Sequence, residues 1–126
     1  MGDGRIWTRI GAISGLLAVG LGAFGAHGLK ARLTAMGTSA NFDTASQYQM
    51  YHALALVFVG VLAGQGRSGG ALQVAGWMFL VGSLIFSGSL YALALSGEGW
   101  LGAITPIGGL SLMGGWLALA FAGVRS

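Results

Sequence analysis

The strongest constraint on this chain is a series of four long apolar segments separated by short polar or glycine-rich stretches. They run roughly over 6–26, 45–64, 72–95 and 106–124. Each approaches the ~20 apolar residues that a helix needs to cross a bilayer. Only 7% of the residues are charged, whereas soluble domains have roughly 25%. The sequence therefore predicts an all-α, four-transmembrane-helix bundle that forms one domain over 1–126, with the lipid bilayer as its surroundings.

The connection between the first two apolar segments has a helical pattern of its own. Leu29, Leu33 and Met36 follow an i, i+4, i+7 spacing, and Lys30 and Arg32 lie between them. This pattern is typical of a short amphipathic helix that lies on the membrane surface. We therefore predict such a surface segment between the first and second membrane helices.

The basic residues predict how the bundle is oriented. With four membrane helices, one side of the membrane has two basic residues, Lys30 and Arg32, and the other side has four, namely Arg5, Arg9, Arg67 and Arg125. Short cytoplasmic loops carry the excess of lysine and arginine, so both termini are predicted to be cytoplasmic. Six bases and three acids form no patch that could bind nucleic acid.

Small residues recur at spacings that place them on one helix face. Burial from water does not hold membrane helices together, so close backbone contact must, and glycine permits it. The glycines that we predict to pack against neighbouring helices are Gly11, Gly15, Gly22, Gly60, Gly108 and Gly115.

Polar side chains are concentrated on the side of the predicted bundle opposite the termini. Polar groups at membrane depth cost several kcal/mol when unpaired, so they are expected to meet inside the bundle. Gln49 and His52 are three residues apart and share a helix face, as do Ser87 and Tyr91 at a spacing of four. The candidate polar cluster consists of His27, Gln49, His52, Ser87 and Tyr91.

Three interpretations of this cluster are open. The side chains form interhelical hydrogen bonds that fix the packing, or they form a shallow site for a small molecule, a lipid head group or a proton. The third interpretation is a metal or haem site on the two histidines, although two histidines are too few for a closed zinc site. Cysteine is absent, and no set of catalytic residues is recognisable. The sequence therefore predicts no catalytic residue, no metal and no cofactor.

Four motifs in order resemble a known family. They are GAFGAHGL at 22–29, YQMYHALAL at 48–56, FSGSLY at 86–91 and ITPIGG at 104–109. They are similar to the small YgdD-like inner-membrane proteins, which are classed as a domain of unknown function (four-two-three), and the resemblance covers nearly the whole chain. It implies a four-helix protein of the bacterial inner membrane whose activity is not established. It implies no catalytic residues.

These observations lead to two hypotheses about function. The first is a non-enzymatic membrane protein that acts either as an accessory subunit of a larger membrane complex or as a self-associating bundle. The second is a protein that binds or transports a small molecule, an ion or a proton through the polar cluster. The absence of a charged residue in the predicted bundle interior disfavours transport, because ionisable groups inside the membrane usually mark such pathways.

Overall fold

The computed structural model describes residues 4–66 and 69–124, and all regular secondary structure in these ranges is helical. It contains five α-helices, and a short 3-10 segment, Gly99–Ala103, precedes the last of them. The α-helices are α1 (Arg5–Ala26), α2 (Lys30–Met36), α3 (Ser39–Gly64), α4 (Gly70–Ser96) and α5 (Thr105–Val124). Arg67 and Arg125, on which the predicted orientation partly depends, lie outside the described residues.

The predicted four-transmembrane-helix bundle is wrong. Three segments of the described residues are long and apolar enough to cross a membrane, namely Arg5–Ala26, Gly70–Ser96 and Gly99–Ala122. The third of these joins the 3-10 segment to α5. Helix α3 is not among them, because Gln47, Gln49 and His52 in its first half lower its hydropathy. Over residues 4–66 and 69–124, the fold is therefore five α-helices with three candidate membrane spans.

Helix α3 also begins six residues earlier than the apolar pattern predicts, at Ser39. The preceding residue, Thr38, is buried, and its Oγ1 donates a hydrogen bond of 2.8 Å to the carbonyl of Ala94 near the end of α4. This bond fixes the start of α3 against α4. The first turns of the helix therefore form outside the apolar segment.

The short helix α2 lies where the amphipathic segment was predicted, but it packs into the bundle. Leu33 is only 2% exposed and contacts Phe42 and Ala94 in a small apolar cluster. Arg32 extends to α4 and donates a hydrogen bond of 2.7 Å to the carbonyl of Leu95. Helix α2 therefore closes one end of the bundle, which we call the α2 end.

The long helices pack in the order α1, α3, α4, α5, and neighbours in this series run antiparallel. The start of α1 and the end of α5 consequently lie at the same end of the bundle, where Trp7 and Leu119 belong to one core cluster. Helices α1 and α4 are both packed on α3, and they meet at Trp7, whose ring lies against Gly76 and whose Nε1 donates to Gln73 at 3.4 Å, but have few contacts elsewhere along their length. A groove therefore separates α1 from α4.

Four of the six predicted packing glycines lie in tight helix contacts. A Cβ atom at Gly11 would lie 2.6 Å from the carbonyl oxygen of Ala53, and one at Gly108 would lie 2.9 Å from the Cα of Phe86. A Cβ atom at Gly60 would meet the backbone of α1 at 2.7 Å. At these positions two backbones approach each other more closely than any side chain allows.

Gly115 is the fourth tightly packed glycine, and Gly15 and Gly22 are the two that are not tightly packed. A Cβ atom at Gly115 would lie 2.7 Å from the ring of Phe79. At Gly15 and Gly22, however, the nearest atoms would lie 3.8 and 3.7 Å away, which is ordinary van der Waals contact. The helices thus have room for a methyl group at Gly15 and Gly22, and the close backbone contact between α1 and α3 lies at Gly11 and Gly60.

Candidate functional site

The amide of Gln49 connects three helices. Its Nε2 donates to the backbone carbonyl of Ser14 on α1 at 3.1 Å and lies 3.4 Å from the Ser14 hydroxyl. Its Oε1 accepts a hydrogen bond of 2.6 Å from the hydroxyl of Tyr91 on α4. Both ends of the amide are therefore engaged, and their partners fix which atom is oxygen and which is nitrogen.

Two serines of α4 bond in different directions. The Ser87 hydroxyl is buried and donates to the carbonyl of Ala45 on α3 at 2.7 Å. The Ser89 hydroxyl lies 2.6 Å from that of Thr105, the first residue of α5. Like Gln49, these serines use their hydrogen-bonding capacity to hold neighbouring helices together.

His52 lies on the other side of α3, toward α5, and is 5% exposed. Its Nδ1 is 2.8 Å from the carbonyl oxygen of Tyr48, and its Nε2 is 3.0 Å from the indole nitrogen of Trp116. A carbonyl can only accept and an indole N–H can only donate. The ring must therefore be neutral, with its proton on Nδ1. Neither nitrogen is available as a metal ligand while these bonds persist.

The structure separates the five residues that the sequence groups together. Gln49 and Tyr91 are in direct contact, and Ser87 precedes Tyr91 by one helical turn. His52 bonds toward α5 instead. His27 is exposed at the end of α1, and its side chain bonds to none of the other four. The predicted cluster is thus divided into three parts. Gln49, Ser87 and Tyr91 lie together near α4, His52 pairs with Trp116 toward α5, and His27 lies apart at the end of α1.

The groove between α1 and α4 contains a cavity of about 370 Å³. Its floor is α3, through Gln49 and Leu56. Polar atoms reach it only from Gln49 and from hydroxyl-bearing residues of α1 and α4, among them Ser14, Ser83 and Tyr91. We call this space the α1–α4 groove.

Ser83 differs from the other polar residues of the groove because its hydroxyl has no hydrogen-bond partner. Its Oγ is buried and has no hydrogen-bond partner, the one side-chain nitrogen or oxygen atom of this kind among the described residues. The residue also lines the α1–α4 groove. An unpaired polar atom in an apolar site is unfavourable unless something binds to it.

A second cavity of about 550 Å³ lies between α3 and α5. Aromatic rings form much of its wall, with Tyr48 stacked on Phe86 and Tyr51 close to Tyr48. Trp116 and His52 complete this wall. The cavity is open, and more than half of the Tyr51 surface is exposed.

The chemistry available at these sites is neutral hydrogen bonding. Within 4–66 and 69–124, no three histidine, cysteine, aspartate or glutamate side chains are grouped so that they could hold a metal ion. Every candidate polar side chain except His27 donates to or accepts from another helix or its own. The arrangement suits helix association and the binding of neutral groups.

Sequence reasoning did not assign a bonding role to Ser14, Ser83 or Trp116. Trp116 could have been found from its chemistry, because an indole N–H at membrane depth needs an acceptor and His52 is one of few. Ser83 has the same helical spacing from Ser87 as Ser87 has from Tyr91. All three line the groove. No sequence feature distinguishes Ser14 from other serines in apolar helices.

Comparison with known proteins gives a consistent result. A family model described as "Protein of unknown function (DUF423)" matches residues 21–109. The chain is 43% identical over 121 residues to the UPF0382 membrane protein YwdK of Bacillus subtilis, covering 96% of this chain and 98% of that protein. It is 45% identical over 115 residues to a UPF0382 membrane protein of Staphylococcus haemolyticus, with 91% and 92% covered.

A third bacterium has a similar protein. A UPF0382 membrane protein of Haemophilus influenzae is 43% identical over 115 residues, which covers 91% of this chain and 90% of that protein. No solved structure matches the chain significantly. The names of these relatives and the three candidate spans together support a multi-pass membrane protein.

Proposed function

The chain belongs to the DUF423 family, and from this premise we propose that it is a non-enzymatic membrane protein that works within an assembly. In this assembly it is either an accessory subunit of a larger membrane complex or one copy of a self-associating bundle. One observation carries the proposal. The buried polar side chains that could have performed chemistry bond to neighbouring helices instead, as His52 and Gln49 do.

The chemistry of these bonds supports a structural role. Interhelical hydrogen bonds in membranes contribute about 0.6 kcal/mol each, up to roughly 2 kcal/mol. A catalytic base needs a free lone pair near its substrate. The Nε2 lone pair of His52 accepts the Trp116 N–H, so the ring has none to offer.

The outer face of α5 offers a surface on which another membrane helix could pack. Five large apolar side chains along this helix are each 60–68% exposed, namely Ile107, Leu110, Met113, Leu117 and Phe121. They form a stripe along a candidate membrane span. Such a stripe is compatible with lipid chains and equally with another membrane helix.

We further propose that the protein lies in the bacterial inner membrane with both termini on the cytoplasmic side. The start of α1 and the end of α5 lie at the same end of the bundle, although only three segments are candidate spans. The sequence has four basic residues on the side of the termini against Lys30 and Arg32 on the other, and cytoplasmic loops are rich in arginine and lysine. The relatives in Bacillus, Staphylococcus and Haemophilus support a bacterial membrane. The narrower YgdD-like identity stays a prediction, because these relatives have the UPF0382 name.

Native mass spectrometry of protein extracted gently from its own membrane tests the assembly. We expect masses above the 12.7 kDa of one chain, either as multiples of it or with a reproducible second protein. Leu110→Trp on α5 should reduce the larger species, and Leu16→Trp on the exposed face of α1 is the matched control. A species of one chain alone, at all protein concentrations and in several mild detergents, would contradict the proposal.

A second function is favoured by the α1–α4 groove. The groove is a preformed cavity of ligand size beside the Gln49–Tyr91 pair, and one of its polar atoms is unpaired. Binding of a small molecule is therefore the second candidate. It is compatible with the first, since an assembly subunit can also hold a ligand.

A further inference from the structure

We propose that the α1–α4 groove binds a long-chain lipid that has a hydrogen-bonding oxygen in the half of its chain far from the head group, and that Ser83 contacts this oxygen. The proposal deepens the second candidate function and does not depend on the protein being part of an assembly. It rests on the length of the groove, the character of its walls and the unpaired hydroxyl.

The length of the groove matches one leaflet of a bilayer. Its lining residues on α1 run from Ile10 to Leu21, which is about 16 Å at 1.5 Å per residue. One leaflet contributes about half of the ~30 Å hydrocarbon core. A single hydrocarbon chain from the leaflet nearest α2 can therefore lie along the groove.

The walls of the groove identify a hydrocarbon occupant. Leu17 of α1 and Leu84 of α4 line it and are more than half exposed. Both helices are candidate membrane spans. The groove therefore opens sideways into lipid, where hydrocarbon chains are the molecules available to fill it.

Ser83 specifies where the polar atom of the ligand lies. It is 13 residues from either end of α4, Gly70 and Ser96, and so lies at the middle of this span. Ester groups of ordinary phospholipids lie near the membrane surface, well away from this depth. A ligand oxygen at Ser83 must therefore belong to the chain itself, as a ketone or a hydroxyl group does.

The other polar groups of the groove already have hydrogen-bond partners, so Ser83 is the residue that we expect to bond to the ligand oxygen. Gln49 is engaged at both ends, the hydroxyls of Tyr91 and Ser87 are already donated, and the Ser14 hydroxyl lies 3.4 Å from the Gln49 amide nitrogen. The Ser83 hydroxyl has one donor and two acceptor positions, all unused. The residue lines the groove and is partly exposed, but its Oγ is covered, so contact with a bound chain requires a change of χ1 rotamer.

Glycines on the two spans allow the groove to be filled without disturbing the helices. Gly88 lines the groove, and a Cβ atom there would meet nothing within 4 Å. Gly20 on α1 is equally open but is not part of the groove lining. Gly88→Phe should therefore fill the groove, and Gly20→Phe is its control, with the same substitution in another candidate span.

Two matched probes distinguish binding of the hydrocarbon chain from hydrogen bonding to its oxygen. The first is octadecanoic acid, and the second is an octadecanoic acid with a carbon-13 ketone in the half of the chain far from the carboxyl group. Both are added to the purified full-length protein after detergent washing, and binding is measured by native mass spectrometry. Infrared spectroscopy of the labelled ketone reports directly whether it accepts a hydrogen bond.

We expect the keto acid to bind saturably to the wild type and to Gly20→Phe, and at least tenfold more weakly to Gly88→Phe. Ser83→Ala should weaken the keto acid about fivefold, as expected for the loss of one hydrogen bond. It should leave octadecanoic acid unchanged and abolish the infrared shift. Since this substitution removes a single oxygen atom, the fold is retained, and circular dichroism checks it.

Either of two results would overturn the proposal. In the first, Gly88→Phe binds the keto acid as well as Gly20→Phe does, so the probe lies elsewhere. In the second, Ser83→Ala still binds the keto acid more tightly than octadecanoic acid. The Ser83 hydroxyl then does not contact the ligand and bonds only within its own helix. Neither result depends on whether larger assemblies form.

Discussion

The indole N–H of Trp116 donates a hydrogen bond of 3.0 Å to Nε2 of His52, although α5 and α3 are not packed against each other along their length. The two rings also meet edge to face, with centroids 5.8 Å apart. This pair bridges the two helices on either side of α4. It therefore contributes to holding α5 in the bundle, independently of the α4–α5 contact.

Trp116→Phe should destabilise the protein by about 1–2 kcal/mol, because it leaves the buried Nε2 of His52 without a donor. The phenyl ring keeps the edge-to-face contact with Phe79, whose centroid is 5.0 Å from that of Trp116. Reversible unfolding in mixed micelles measures the change. Trp100→Phe is the control, since Trp100 is 64% exposed and makes no such bond. Equal effects of the two substitutions would show that the bond to His52 contributes nothing.

The hydrogen bonds of His52 predict its tautomer. We expect nitrogen-15 NMR to show a protonated Nδ1 and an unprotonated Nε2, since Tyr48 offers a carbonyl and Trp116 an N–H. In Trp116→Phe the Nε2 resonance should shift while that of Nδ1 stays nearly constant. His27 serves as the internal reference, because its side chain is exposed. A doubly protonated His52 at neutral pH is incompatible with this geometry.

The hydrogen bond between Tyr91 and Gln49 should be measurable in a double-mutant cycle. Tyr91→Phe and Gln49→Leu remove its two partners, and we expect a coupling energy of about 0.6 kcal/mol, up to roughly 2 kcal/mol. The short distance of 2.6 Å favours the upper part of this range. Tyr51→Phe provides the control, because the Tyr51 ring is exposed. If the cycle with Tyr51→Phe gives the same coupling energy to Gln49, the Tyr91–Gln49 hydrogen bond is not the source of that energy.

Gly11→Ala should weaken the contact between α1 and α3 strongly, whereas Gly15→Ala should be tolerated. The added methyl group would lie 2.6 Å from the carbonyl oxygen of Ala53 at Gly11, but 3.8 Å from its nearest neighbour at Gly15. Thermal melting and the monodispersity of the purified variants report the difference. The two substitutions change helix propensity equally, so they form a matched pair. Similar melting temperatures would show that α1 can move away from α3 at no cost.

The helices could largely be predicted from sequence, since apolar length decides where they lie. Thr105 and Pro106 mark the start of α5, where a proline suits the first turn because its missing N–H needs no partner. The number of membrane spans was overestimated. Length and a mostly apolar second half make α3 resemble its neighbours, but the polar residues of its first half lower its hydropathy below theirs.

The candidate site was harder to predict, because helix spacing does not specify which neighbour a residue faces. Gln49 and His52 are three positions apart and are predicted to share a face. In the structure α4 packs on that face, so the two side chains lie on opposite flanks of the α3–α4 contact. One therefore bonds toward α1 and α4 and the other toward α5. The order in which helices pack cannot be derived from periodicity alone, and it is this order that divides the cluster.

The bonds from Thr38 and Arg32 to the last carbonyls of α4 imply an order of events during synthesis. Their acceptors, Ala94 and Leu95, emerge from the ribosome more than 55 residues after Thr38. Until α4 has been made, α2 lacks these partners, and Leu33 lacks the Ala94 side of its cluster. The link between α1 and α3 is therefore held only by its contacts with these two helices until then. Completion of α4 is the step that locks the first half of the nascent chain in place.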